Sequence, residues 1–144
     1  MVRALLDNPV DHWALVHRTD AENEGLAIFV HGFRGKYLDT WGALAQVLLE
    51  DRYNSAYRPI LEPWDFLFVG YDTKKIDTYL DIAALVHTEW RRARSGAQPY
   101  GHARKRLALF AHSLGTLATR QVLCAAAKYD HDLLASLKAA ARSK

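Results

Sequence analysis

Residues 106–116 have the sequence RLALFAHSLGT, in which a short apolar run leads to Ser113 and a helix-competent, alanine-rich segment follows. The apolar run predicts a strand, and the serine falls at the turn between that strand and the next helix. This is the layout of a nucleophile elbow, which lifts a serine hydroxyl above a sheet. The turn strains the serine backbone, so the residues two before and two after it must be small. Gly115 meets that demand, and Ala111 meets it with one extra methyl group.

Residues 111–115 resemble the G-x-S-x-G motif of the α/β-hydrolase superfamily, with Ala111 in place of the first glycine. Residues 31–35, His-Gly-Phe-Arg-Gly, follow a buried apolar run, and in that superfamily a His-Gly pair at this place begins the oxyanion loop. The chain is most similar to serine esterases and lipases with a Val-His-Gly loop and a His-Ser-Leu-Gly elbow. The resemblance covers about residues 12–129.

The resemblance implies a role for each residue of the two motifs. Ser113 is the nucleophile, and the backbone N–H groups of Phe33 and Leu114 form the oxyanion hole. Two such donors aimed at the developing negative charge stabilise a tetrahedral intermediate strongly. The residues expected to support the loop and the elbow are His31, Gly32, Ala111, His112 and Gly115.

Residues 31–35, which we call the glycine loop, have two other interpretations: a plain strand-to-helix turn or a phosphate-binding loop. The P-loop pattern G-x-x-x-x-G-K-[ST] does not fit, because Gly32 and Gly35 are too close together and Tyr37 follows Lys36. The dinucleotide fingerprint G-x-G-x-x-G does not fit either.

Length and composition predict a single globular domain over residues 1–144. The net charge is +3. We predict a solvated helix end and loop for the basic cluster, rather than a nucleic-acid surface, since no aromatic residues are interleaved with it. The cluster comprises Arg91, Arg92, Arg94, Arg104, Lys105 and Arg106.

The single cysteine, Cys124, excludes an internal disulfide and is predicted to be a small core residue. The N-terminal residues lack the apolar run of a signal peptide, and no segment has the length of a membrane span. We therefore predict a cytoplasmic protein. We also predict that it needs no metal or cofactor and binds no nucleic acid.

Buried apolar runs alternate with amphipathic segments, which predicts an α/β fold with a doubly wound, mostly parallel sheet. The strands are predicted over residues 12–18, 26–30 and 66–72 and over the apolar run that leads from Arg106 to the serine, the first two able to pair as a hairpin. Helices are predicted after Asp39 or Thr40, after a possible cap at Asp77, and from Leu114 to about Tyr129. Their apolar faces include Trp41, Leu44, Ala45, Leu48 and Leu49 in the first, and Tyr79, Ile82, Ala83, Leu85, Val86 and Trp90 in the second. Because ligands bind at the carboxyl ends of such strands, His31, Tyr71 and Ser113 are predicted to face one pocket.

A serine nucleophile needs a histidine base oriented by a carboxylate, and in this superfamily both follow the serine. After Ser113 the chain offers only Asp130, His131 and Asp132, at the far end of the elbow helix and badly placed. No carboxylate partner is identifiable for His12, His17, His87 or His102. The sequence therefore resembles the front part of an α/β-hydrolase, with the triad acid and histidine absent.

Truncation at this point would leave the outer edge of the elbow strand unpaired, and an exposed apolar edge invites pairing with another chain. We predict a homo-oligomer or a companion chain at that edge.

Three functions follow as hypotheses. The first is a serine esterase or lipase-like carboxylic-ester hydrolase acting on a small acyl ester or a lipid. The second is a non-catalytic hydrolase-like module that binds a partner or ligand. The third is an unrelated doubly wound domain with an accidental serine motif.

Overall fold

The computed structural model describes residues 4–8, 13–17, 23–49 and 58–129, and its strands form one five-stranded sheet in the order β1-β2-β4-β3-β5. The elements are β1 (Ala4–Asn8), β2 (Trp13–His17), β3 (Gly25–Val30), a 3-10 turn (Asp39–Trp41), α1 (Gly42–Leu49), α2 (Arg58–Leu61), β4 (Trp64–Val69), α3 (Tyr79–Ser95), β5 (Arg106–Ala111) and α4 (Leu114–Tyr129).

Strand β3 lies at the centre of the part of the sheet that carries the motifs. It pairs in parallel with β4 and β5, and its register sets Gly25 opposite Arg106 and Val30 opposite Ala111. All six residues of β3 are buried, as a continuous apolar run predicts. The glycine loop and the serine turn therefore leave neighbouring strands at the same edge of the sheet.

The predicted hairpin between the first apolar run and β3 is wrong. Strand β2 pairs antiparallel with β4 and, on its other side, with β1, a strand that the sequence pattern did not predict. Seven residues, 18–24, separate β2 from β3. That length is enough to cross over an intervening strand, since strands are spaced about 4.8 Å apart and an extended residue spans about 3.3 Å. The sheet is consequently mixed rather than mostly parallel.

Helices contact both faces of this α/β sheet. On one face, α3 and α4 pack on apolar side chains of β2, β3 and β4; that cluster includes Leu15, Ile28, Leu67, Ile82, Val86, Trp90, Ala118 and Val122. On the other face, α1 covers a cluster that includes Ala14, Phe29, Ala45, Leu48, Phe66 and Phe68. Leu44 and Tyr79, predicted on apolar helix faces, are instead exposed.

Helix α3 has well-defined ends. Its N-cap is Thr78 and not the predicted Asp77. The Thr78 hydroxyl accepts from Leu80 N–H at 3.1 Å, while the Asp81 carboxylate accepts from Thr78 N–H at 2.9 Å. This reciprocal capping box satisfies two amides that the first turn leaves open. Gly96 ends the helix with φ of 72°, as predicted.

Strand β5 has a neighbour on one side only within the described part of the chain. Phe110 is 48% exposed, although it stacks on Phe29 with ring centroids 4.9 Å apart. Among the described residues, the outer edge of the elbow strand is therefore unpaired, as predicted.

Cys124, predicted to be buried, is exposed. On α4 the buried stripe runs through Ala118, Val122 and Ala126. A residue two positions from Val122 points to the opposite side of the helix, because successive residues are rotated by about 100°.

Candidate active site

Ser113 lies at the apex of the turn between β5 and α4, in the strained conformation that the elbow motif predicts. Its φ is 54°, in the left-handed region that non-glycine residues seldom adopt. The helix begins at the next residue, where Gly115 N–H donates to His112 O and Thr116 N–H donates to Ser113 O. The side chain is exposed, so its hydroxyl is accessible from solvent.

The glycine loop contacts this turn directly. A Cβ atom added to Gly32 would lie 2.5 Å from Ser113 Cβ and 3.0 Å from Ser113 Oγ. His112 N–H also donates to Val30 O at 3.0 Å, which continues the β3–β5 pairing up to the turn. The structure therefore brings together Gly32 and Ser113, which are far apart in the sequence.

Gly115 permits a second close approach at the start of α4. An added Cβ would lie 2.6 Å from the carbonyl oxygens of Val30 and His31. Any side chain here would push the first turn of the helix away from the end of β3. This explains physically why the small residue two positions after the serine is required.

His31 is fully buried below the loop, and both of its ring nitrogens contact backbone groups. Nε2 accepts from Tyr71 N–H at 3.3 Å, and Nδ1 lies 2.8 Å from Gly32 O. These partners select the neutral tautomer that carries its proton on Nδ1, since a carbonyl oxygen only accepts. The imidazole therefore orients the loop, and this geometry does not suit it to act as a base for Ser113.

Tyr71 connects the turn after β4 to the glycine loop. Its ring stacks on His31 with centroids 4.0 Å apart, and its hydroxyl donates to His31 O. Burial raises the pKa of Tyr71 to about 12, so the hydroxyl stays protonated and remains a donor. Two strand ends are thus held together beside the serine.

The amides of Phe33 and Leu114 follow the two contacting residues, Gly32 and Ser113. Within the described ranges, neither amide donates a hydrogen bond. Leu114 is the first residue of α4, where a helix leaves its N–H groups open and carries partial positive charge. Both amides are therefore free to donate to a ligand.

A cavity of about 680 Å³ opens beside the glycine loop. Two of the three residues predicted to share a pocket, His31 and Tyr71, line it, but Ser113 does not. Phe33 is the lining residue next to Gly32. The remaining lining residues are Arg34, Gly35, Lys36, Tyr37, Gly70, Asp72, Thr73 and Lys74.

No side chain in the described ranges hydrogen-bonds to Ser113 Oγ. His102 lies at the other end of the strands, where Nε2 contacts Asn23 O at 2.8 Å, and His112 is exposed. The candidates Asp130, His131 and Asp132 lie outside the described residues, as do His12 and the side chain of His17. In the same ranges, no three His, Cys, Asp or Glu side chains are grouped as metal ligands would be.

A buried ion pair that the sequence did not predict lies at the end of the sheet opposite Ser113. Arg104 was predicted to be solvated, but it is 1% exposed and donates to the Asp65 carboxylate at 2.7 Å. Asn23 donates to the other oxygen of Asp65 at 2.8 Å. The pair was not predictable from the sequence because its partners lie 39 positions apart on different elements.

A comparison with protein-family models adds to this geometry. Residues 20–141 match the model of the family described as "Putative serine esterase (DUF676)". The chain belongs to this family. The similarity to serine esterases inferred from the two motifs is confirmed, and the hypothesis of an unrelated domain with an accidental serine motif is wrong.

Two other comparisons gave no match: none of the curated proteins and none of the solved structures is significantly similar to the chain. Within the described ranges, every helix falls short of the length and apolarity needed to span a bilayer.

Proposed function

We propose that this member of the serine esterase family is a carboxylic-ester hydrolase with Ser113 as its nucleophile. The observation that supports the proposal is the contact of Gly32 with Ser113, because the amides of Phe33 and Leu114 directly follow these two residues and donate no hydrogen bond within the described ranges. A nucleophile and two oxyanion donors at one point are the core of acyl-transfer chemistry.

The reaction proceeds in two steps. Ser113 Oγ attacks the ester carbonyl carbon and transfers its proton to a general base, while the carbonyl oxygen becomes an oxyanion held by the amides of Phe33 and Leu114. The carbon–oxygen bond to the alcohol then breaks, and the alcohol leaves with that proton. Water attacks the acyl-enzyme in the same way and releases the acid.

We infer that the base and its carboxylate come from outside the described residues. Since neither an imidazole nor a carboxylate there contacts Ser113 Oγ, the catalytic set is incomplete within those ranges. The substrate in this proposal is an acyl ester, either a small molecule or a lipid, and no metal or organic cofactor takes part. A cytoplasmic location stays a prediction.

The experiment is fluorophosphonate labelling of Ser113, with and without added imidazole, in the wild-type chain and in Ser113→Ala. A small imidazole replaces a missing histidine base, so we expect labelling that imidazole accelerates and that Ser113→Ala abolishes. Robust labelling without imidazole would support the hydrolase and show that the chain itself supplies a base for Ser113.

The alternative is the non-catalytic module, favoured by the absence of a described base near Ser113. Under this alternative, the wild type and Ser113→Ala turn over p-nitrophenyl esters at equal background rates, and imidazole makes no difference. The two functions are thus separated by a single pair of proteins.

We further propose that a second copy of this chain covers the open edge of β5. Two identical edge strands related by a two-fold axis can pair with each other through the same residues. A second copy therefore needs no further complementary surface, whereas a companion chain of different sequence would have to supply its own edge strand. The exposed ring of Phe110 lies on that edge.

A further inference from the structure

We propose that the cavity beside the glycine loop binds a phosphate group carried by the acyl ester, so that the preferred substrates are phosphate-bearing esters. This inference rests on the proposed function and names the substrate class of the same site. Three cationic side chains, Arg34, Lys36 and Lys74, line the cavity, against a single carboxylate, Asp72.

The charges in the cavity are not neutralised by one another. Asp72 accepts from Lys74 N–H at 3.0 Å and lies 4.0 Å from Lys75 Nζ, a side chain that points away to solvent and does not line the cavity. Lys36 pairs with Asp39 at 3.2 Å. Within the described ranges, the side chains of Arg34 and Lys74 have no carboxylate partner. The cavity therefore has an excess of positive charge available to a ligand.

Arg34 is held in an unusual conformation at the cavity wall. Its φ is 57°, the only non-glycine value of this kind in the described chain besides that of Ser113. Its guanidinium lies 5.5 Å from the centre of the Phe33 ring. Strained residues of this sort persist where the surroundings fix them and concentrate at ligand sites. The guanidinium thus lies next to the ring of Phe33, and both residues line the cavity.

Phe33 connects the cavity to the proposed position of the substrate carbonyl, because it lines the cavity and its amide is a proposed oxyanion donor. Arg34 directly follows Phe33, whose amide is one of the two proposed oxyanion donors. An ester bound with its carbonyl oxygen on that amide has its alcohol or acyl portion beside Arg34. A phosphate monoester carries about −1.5 to −2 charges near pH 7 and accepts charge-assisted hydrogen bonds from guanidinium and ammonium groups. The cavity thus matches an anionic substituent better than a neutral one.

The test uses the full chain with Ser113→Ala, so that no substrate is consumed, and compares two soluble probes by calorimetric titration. The probes are dihexanoyl glycerophosphate and the neutral dihexanoylglycerol. We expect the phosphate-bearing ester to bind about tenfold more tightly or better. Adding Arg34→Gln and Lys74→Gln should weaken binding of the phosphate-bearing ester and so remove that preference.

Lys75→Gln is the matched control, because it removes a neighbouring positive charge that does not line the cavity. It should change the affinity for either probe less than about twofold. Equal affinity for the two probes, or an equal loss with Lys75→Gln, would overturn the proposal. Circular dichroism of each variant establishes that the fold is retained.

Two further arms separate the sources of the phosphate. Inorganic phosphate should compete with the phosphate ester; if it binds as tightly as the ester does, the cavity is a free-anion site and the proposal fails. Co-sedimentation with phosphatidate vesicles should be lost when Arg34→Gln and Lys74→Gln are combined. Vesicle binding that survives these substitutions would assign phosphate binding to a basic outer surface and not to the cavity. Imidazole-assisted labelling of Ser113 together with equal affinity for the two probes refutes only this inference. Phosphate-selective binding with no labelling of Ser113, even with imidazole, refutes only the proposed function.

Discussion

Gly32 and Ser113 contact each other so closely that residue 32 has no space for a side chain. An added Cβ would lie 2.5 Å from Ser113 Cβ and 2.9 Å from His112 O. Neither atom is the free end of a flexible side chain, so neither can move without shifting the turn. The loop after β3 and the turn after β5 therefore form a single structural unit, and any change at residue 32 acts on Ser113.

Gly32→Ala should lower the imidazole-assisted labelling rate of Ser113 by about 100-fold. A displacement of about 1 Å misaligns the hydroxyl with the proposed oxyanion donors, the amides of Phe33 and Leu114, and losses of this size are typical of such misplacement. The rate is measured with a fluorophosphonate and quantified by mass spectrometry of the peptide that carries Ser113.

Gly101→Ala is the control for that experiment, because an added Cβ there meets nothing within 4 Å although φ is 76°. It introduces backbone strain of about 1–2 kcal/mol without a clash near the serine. Its labelling rate should match that of the wild type. An equal loss in both variants would mean that general destabilisation, and not the contact with Ser113, slows the reaction.

Arg104→Met should lower the free energy of unfolding by about 3–5 kcal/mol, because it leaves the Asp65 carboxylate charged and buried. Asp65 is 2% exposed, and it holds the starts of three strands together through Arg104 and Asn23. Urea denaturation followed by tryptophan fluorescence measures the change.

The exposed ion pair of Lys36 and Asp39 is the control for the buried pair of Arg104 and Asp65. Their side chains are 76% and 73% exposed, so Lys36→Ala should change the free energy of unfolding by less than about 1 kcal/mol. If Arg104→Met cost no more than Lys36→Ala, the buried pair would have no special role at this end of the sheet.

The elements near Ser113 could be predicted from the sequence because their signals are local. The apolar run before the serine, the small residues around it and the glycine after α3 each specify a backbone conformation within a few residues. The pairing partner of β2 could not be predicted, because its choice between β3 and β4 depends on a crossover that no short window contains. The ion pair of Arg104 with Asp65 could not be predicted for the same reason, because its partners lie far apart in the sequence.

The exposure of individual side chains could not be predicted from the local sequence pattern either. Cys124 lies in an apolar segment, yet the stripe of Ala118 and Val122 that meets α3 leaves it on the opposite side. Periodicity shows that a helix has an apolar face, but the neighbouring helix decides where that face is centred. The basic lining of the cavity comes from two separate turns, which only the fold brings together.

Tyr71→Phe should make the protein less sensitive to alkaline pH. The pKa of Tyr71 is raised to about 12 in the folded protein, while an unfolded tyrosine titrates near its ordinary value of 10.0. The raised pKa favours the folded state below pH 10, and this contribution is lost as the pH rises towards 12. Phenylalanine cannot titrate, so the wild type should lose more stability than Tyr71→Phe over that interval.

At neutral pH the same variant should be less stable than the wild type by about 1 kcal/mol, because the carbonyl of His31 loses its donor. Urea denaturation at several pH values measures both effects. Tyr79→Phe is the control, since that side chain is exposed and its hydroxyl makes no hydrogen bond within the described ranges. Identical pH profiles for the wild type and Tyr71→Phe would contradict the buried, protonated state of Tyr71.

Phe110→Lys should shift the protein from dimer to monomer if a second copy pairs with β5. A lysine on an edge strand opposes pairing because it places a charge where another strand would bury it. Sedimentation velocity over a range of concentrations measures the association. Ile60→Lys is the matched control, since Ile60 is 69% exposed on α2, away from β5, and its replacement should leave the dimer intact. A wild type that is monomeric at every concentration would exclude the second copy. Equal dissociation in both variants would show that added charge alone, and not the edge of β5, governs the association.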